Sequence, residues 1–162
     1  MATTQGTTPQ TTTKTEDITL TRTFDAPRKL VFSMWTDAKH LAAWWGPHGW
    51  TNPRSEADPR PGGKILIHMQ APDGTVHPMT GTFDEIAEPE CLVFRAVPVD
   101  RHGAALLESL TTVTFHDLGD RTKVIVHASA APLQPIGVDM LKGMDMGWSQ
   151  SLERLAQLVT QR

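Results

Sequence analysis

The chain has 162 residues, with 15 Lys and Arg against 18 Asp and Glu and a formal charge of -3 at pH 7. That is enough chain for one domain with a continuous core, and its scattered basic residues provide no field for nucleic acid. The single cysteine, Cys91, excludes an intrachain disulfide and a thiolate metal cluster.

The opening MATTQGTTPQTTTKTE is rich in Thr and Gln and almost free of apolar residues. Burial cannot offset its ordering entropy, so residues 1–16 are expected to be a disordered tail and residues 17–162 the folded domain. Met1 to Thr15 lacks the apolar stretch of a secretory signal. No run elsewhere approaches the ~20 apolar residues of a membrane helix. The expectation is a cytoplasmic protein without membrane insertion.

Ile18 to Phe24 alternates apolar or long side chains with threonine, the period of a strand with one buried face. Asp25, as a cap, and Pro27, in a first turn, then start a short helix carrying Leu30, Val31, Met34 and Trp35. Thr36 or Asp37 caps a second, with Leu41, Trp44 and Trp45 inward, and Gly46-Pro47 ends it. Trp44 and Trp45 diverge by about 100° on an ideal helix, which would let only one lie deep in the core.

From Asn52 to Ala128 the pattern is one of strands and tight turns. Asp58 to Gly63 forms a turn block ahead of Ile65 to Met69, and Pro72-Asp73-Gly74 is a hairpin signal. Met79–Ile86, Leu92–Val97, Leu107–Phe115 and Thr122–Ala128 complete an antiparallel meander of about six strands.

After a loop with Pro132, Pro135 and Gly137, an amphipathic helix is expected from about 138 to 160. Its stripe is Leu141, Met144, Trp148, Leu152, Leu155 and Val159. Beside the stripe Gly143, Gly147 and Ser151 fall on one line at i, i+4, i+8. A glycine in a helix interior costs about 1 kcal/mol relative to alanine. This groove of missing side chains admits either a closely approaching backbone, the commoner reason, or a ligand.

The order of strand, two short helices, meander and long helix describes an α+β layer arrangement. Thr21 to Pro27, Trp44-Trp45-Gly46-Pro47, Asp58 to Gly63, Met69 with Pro72-Asp73-Gly74, Gly81-Thr82-Phe83 and Gly147-Trp148-Ser149-Gln150 add a more specific signal. This series resembles the Hsp90 ATPase activator homologue 1-like group of the START/Bet v1 (SRPBCC) superfamily. The resemblance implies a helix-grip fold, a curved sheet of six or seven antiparallel strands gripping the C-terminal helix around a hydrophobic cavity. The namesake cochaperone adds a separate Hsp90-binding domain, for which this sequence has no room. Relatives include lipid carriers, polyketide cyclases and hormone receptors, among which fold alone does not choose.

The seven histidines show no His-x-x-x-His or His-Glu-x-x-His spacing, so neither a metal site nor a cofactor is expected. His68 should face outward, with His77 beside it across the hairpin. No serine has a Gly-x-Ser-x-Gly setting, and no catalytic residue is assigned. Arg22 shares strand parity with Ile18, Leu20 and Phe24 and so points inward, where a guanidinium needs partners. Glu85, in phase with Phe83 and Gly81, is a candidate. Arg22 then either closes the end of the cavity or anchors a polar ligand head. Trp44, Trp45, Trp50 and Trp148 could form an aromatic cage, and Met34, Met69, Met140, Met144 and Met146 suit an adaptable pocket or an ordinary core.

The function expected is binding of a small hydrophobic or amphipathic molecule between sheet and C-terminal helix. The wall comprises Ile65, Ile67, Met69, Phe83, Phe94, Val113, Phe115, Val124, Met144, Trp148 and Leu152, with Trp45, Gly147 and Arg22 alongside. Two alternatives stand: a cyclase- or hydrolase-type enzyme acting on an aromatic or polyketide-like compound, and a stress-related cochaperone that contacts Hsp90. Association as a homodimer is left open.

Overall fold

The computed structural model describes residues 15–160, so the expected tail lies outside the described residues except for Thr15 and Glu16. Glu16 already belongs to a strand. The elements are β1 (Glu16–Phe24), α1 (Arg28–Thr36), α2 (Ala38–Trp44), β2 (Thr51–Ala57), β3 (Lys64–Gln70), β4 (Val76–Ala87), β5 (Cys91–Pro98), β6 (Leu107–Asp117), β7 (Thr122–Pro132), α3 (Pro135–Lys142) and α4 (Met144–Thr160). The seven strands form one antiparallel sheet in the order β1-β7-β6-β5-β4-β3-β2. β2 was hidden in the sequence by Pro53 and by Arg54 and Glu56. As an edge strand it tolerates the missing proline donor.

The sheet's inner face carries Ile65, Ile67, Met79, Phe83, Leu92, Phe94, Val113, Phe115, Val124 and Val126, all buried. Onto it α4 lays Leu152, Leu155 and Val159, with Leu155 fully buried. Burial of such a leucine contributes on the order of 2 kcal/mol. Phe32, Met34, Trp35, Leu41 and Trp44 from the two short helices close one end of this core. The helix-grip architecture implied by the motifs is the fold observed.

Several local expectations need correction. Pro27, rather than Asp25, is the N-cap of α1, and no side chain caps that end. Asp37 does cap α2, its carboxylate accepting from the Lys39 and His40 amides. Trp44 and Trp45 are both buried. Both fit inside because the helix stops at Trp44: Trp45 has extended backbone, with φ -67° and ψ 133°, and is not held to the step of about 100°. The long C-terminal helix is broken at Gly143, whose φ of -95° and ψ of 1° end α3. Glu85 is not a partner of Arg22, because the ladder between β4 and β5 shifts register between Phe83 and Glu85. That bulge reverses the parity, so Ile86 packs against the core and Glu85 is exposed. His77 pairs with Met69 rather than sitting beside His68, and its ring meets Trp50 at 5.3 Å.

Candidate functional site

Small side chains on facing elements leave a space of about 200 Å³. Ala96 on β5 and Ser109 on β6 are directly opposite in the sheet register. Facing them, α4 presents Gly147 and Ser151, and a Cβ built on Gly147 would meet nothing within 4 Å. Met69 and Met79 from the sheet and Met140 and Met144 from the two C-terminal helices line the same space. Trp45, Gly46, Pro98, Leu107 and Trp148 complete the wall. No Asp, Glu, His, Lys or Arg is among the lining residues. At Gly147 the groove on α4 is therefore open space, while at Ser151 the backbone of Gly46 approaches it. Close packing occurs instead at Gly137, where an added Cβ would collide with the Leu106 carbonyl oxygen.

One wall is a loop tied to α4 by four side chains. Ser151 Oγ accepts from the Gly46 amide at 3.1 Å, and Gln150 Oε1 accepts from the His48 amide at 3.0 Å. Arg154 Nη1 donates to the carbonyls of Trp45, Gly46 and Pro47 at 3.0, 3.0 and 3.1 Å. Glu153 lies 3.1 Å from His48 Nε2. Burial lowers the pKa of Arg154, but a guanidinium stays charged at any physiological pH. Gly46 needs its φ of 98°, and Met69 Cε lies close to where its Cβ would be.

The loop presents Trp45 edge-to-face against Trp148, with ring centroids 5.6 Å apart, and Trp148 stacks on Trp35 at 5.9 Å. Trp44 stands behind this pair, against Trp35 at 4.7 Å, and its indole donates to the Met34 carbonyl. Trp50 is turned toward His77 and is not part of the wall.

Of the residues expected to bind a ligand, the structure gathers Trp45, Met69, Met144, Gly147 and Trp148 around the cavity. Ile65, Ile67, Phe83 and Phe94 do not line this cavity but a separate void of about 10 Å³. Val113, Phe115, Val124 and Leu152 belong to the filled core. Arg22 points inward as its parity required, but it lies against Val124 at the β1 edge. There it donates to the Thr21 carbonyl and, at 3.4 Å, to Ser149 Oγ. It closes that edge and does not line the cavity. Gly46, Met79, Ala96, Pro98, Leu107 and Ser109 were not anticipated. The available signal was the pair of small residues, Ala96 and Ser109, at inward positions of adjacent strands.

A larger hollow of about 580 Å³ on the outer face has the charged side chains Lys64, Arg95 and Glu108 in its wall. Its Arg95 is already paired with Asp84 and Glu108. Among the described residues no group of three His, Cys, Asp or Glu side chains could hold a metal ion. Nor is any described helix long and apolar enough to cross a membrane.

A curved antiparallel sheet closed by a C-terminal helix over an apolar cavity defines the START/Bet v1-like class. Residues 25–160 match the family model described as activator of Hsp90 ATPase homolog 1-like protein, and the chain belongs to that family. Solved structures agree. A protein from Arthrobacter aurescens is similar at 27% identity and a TM-score of 0.77, over 90% of this chain and 87% of its own. One from Chromobacterium violaceum shares 27% identity, with a TM-score of 0.76 over 88% of this chain and 96% of its own. A homolog 1-like protein of Silicibacter pomeroyi, 22% identical, shares the fold at a TM-score of 0.76 over 91% of this chain and 100% of its own. No curated protein matches the chain.

Proposed function

We propose that this protein binds one small, uncharged, apolar molecule in the cavity beneath Trp45 and Trp148. The observation that carries the reading is the open space of about 200 Å³ between Gly147 and the Ala96–Ser109 pair, lined without a single charged side chain. Its size lies between the ~150 Å³ of an apolar cavity that takes benzene and the ~300–1,000 Å³ of sites for drug-sized ligands. A compound of one or two rings fits that range. The methionines on both sides are adaptable enough to close around more than one such compound. Membership of a family whose fold commonly encloses hydrophobic ligands supports the same reading.

An enzyme of cyclase or hydrolase type would need an acid or base at the bound molecule, and the lining offers none. A cochaperone would act through its outer surface, and a coupled ATPase assay with Hsp90 separates that reading from this one. The direct test is titration with tetralin, a neutral two-ring hydrocarbon, followed by tryptophan emission and calorimetry. Saturable binding at one site with quenching or shift of the emission is the expected result. Absence of any saturable binding by small neutral ring compounds overturns the proposal.

A further inference from the structure

Beyond the cavity, toward the core, lies the void of about 10 Å³. Trp45 and Met79 line both spaces and so form the partition between them. Trp35, 2% exposed, lines the void, and its indole Nε1 has no hydrogen-bond partner. Phe94 also lines the void. Its register partner on β6 is Thr111, 1% exposed, whose Oγ1 is likewise unpaired. Thr111 sits one inward-facing row beyond Ser109, which lines the cavity. A buried hydrogen-bonding group, the Trp35 indole, thus stands unsatisfied at the inner end of an apolar space. Such a group is costly to leave unpaired and calls for an explanation.

We infer that the ligand is a neutral carbonyl compound, and that its oxygen passes the Trp45–Met79 partition to accept a hydrogen bond from Trp35 Nε1–H. The inference rests on the cavity reading above and names the chemical class that this cavity takes. A void of this size accommodates one oxygen atom or one water but no ring. Met79, with its flexible thioether side chain, can yield to let the oxygen through. An indole only donates, so the complementary atom on the ligand is an acceptor. An ionised head group is disfavoured, because no cation lines either space and an unpaired buried charge is expensive.

The test compares α-tetralone with tetralin, which share a bicyclic skeleton and differ by the ketone oxygen. The ketone should bind the wild-type protein about tenfold more tightly than the hydrocarbon, the ratio that one buried hydrogen bond supports. Trp35→Phe should remove that preference, bringing the ketone-to-hydrocarbon affinity ratio to about one whatever its effect on tetralin affinity itself. Where Trp35→Phe does not fold, the wild-type protein gives an independent readout among its five tryptophans. One indole N–H resonance should move downfield with the ketone and stay in place with the hydrocarbon. If both compounds bind equally, with no indole resonance distinguishing them, a water already occupies the void and this inference is overturned while the cavity reading stands. If neither binds, the cavity reading itself falls. A ketone preference that survives in folded Trp35→Phe also overturns the assignment.

Discussion

Gly147 and Gly137 are both glycines in C-terminal helices, and their surroundings give them opposite roles. Around Gly147 an added Cβ meets nothing within 4 Å, whereas at Gly137 it strikes the Leu106 carbonyl oxygen and the Pro132 ring. Gly147→Leu should therefore fill the cavity from the α4 side and abolish tetralin binding. The melting temperature should hold or rise, since leaving glycine recovers up to about 1 kcal/mol of helix propensity. Gly137→Ala should do the reverse. Overpacking against backbone costs about 1–3 kcal/mol, and at roughly 2–4 °C per kcal/mol for a chain of this size it lowers the midpoint by several degrees, with ligand affinity retained. Thermal melts and calorimetry on the two variants check this, and a Gly147→Leu protein that still binds tetralin contradicts the cavity assignment. The spacing of Gly143, Gly147 and Ser151 was legible in the sequence. Which of the two reasons for a helical glycine applied was not, because the deciding atoms, Ala96 and Ser109, lie on strands far away in the chain.

The loop after α2 depends on α4 for its shape, and so Trp45 depends on Arg154. Three carbonyls in a row, from Trp45 to Pro47, point at one guanidinium nitrogen, while Arg154 Nη2 reaches the Ala43 carbonyl at 3.3 Å. Arg154→Ala should lose about 1.5–3 kcal/mol, the range for a hydrogen bond to a charged group, together with much of the ligand affinity as Trp45 loosens. Lysine at this position keeps the charge but not the planar fork, and should recover less than half of either loss. Full recovery by lysine in a denaturation curve would show that the charge alone matters. Arg154 was visible in the sequence only as a polar residue on the outer side of an amphipathic helix. Its role depends on a contact more than a hundred positions away, with a loop whose backbone leaves the helix at Trp45. The bulge beyond Phe83 and the break at Gly143 escaped for a related reason. Periodicity assumes that each element continues, and one extra residue such as Asp84 or one glycine reverses the phase of everything after it.

The apolar interior has two parts, and the cavity is the seam between them. The main cluster joins β1 and the sheet from β3 to β7 with α1, α2 and the later turns of α4, whereas Leu107, Ala130 and Leu141 form a small separate group with Met144 against it. Cavity residues come from both, Trp45, Met79 and Ala96 from the first and Leu107 and Met144 from the second. The motifs made the grip of sheet on helix readable, since each marks a turn or an element end in the expected order. They carried no information on where the interior would be left unfilled. α3 is held by the small cluster and by the close approach of Gly137 to Leu106, and it exposes Ile136 and Val138 to solvent. Elements with few buried apolar contacts open at lower free energy than the global unfolding reaction. The amides of α3 should therefore exchange with solvent well before those of α4 around Leu152 and Leu155. A bound ligand touching Met140 and Met144 stabilises the closed arrangement by mass action, by about 2.7 kcal/mol at a hundredfold excess over Kd. Saturating tetralin should then slow exchange in α3 by up to about a hundredfold and leave the slowest amides of β6 and β7 unchanged wherever they already exchange through openings that keep the ligand bound. Hydrogen-exchange mass spectrometry resolves the two regions. Equal protection of α3 and α4 in the free protein would mean that α3 is part of the rigid core.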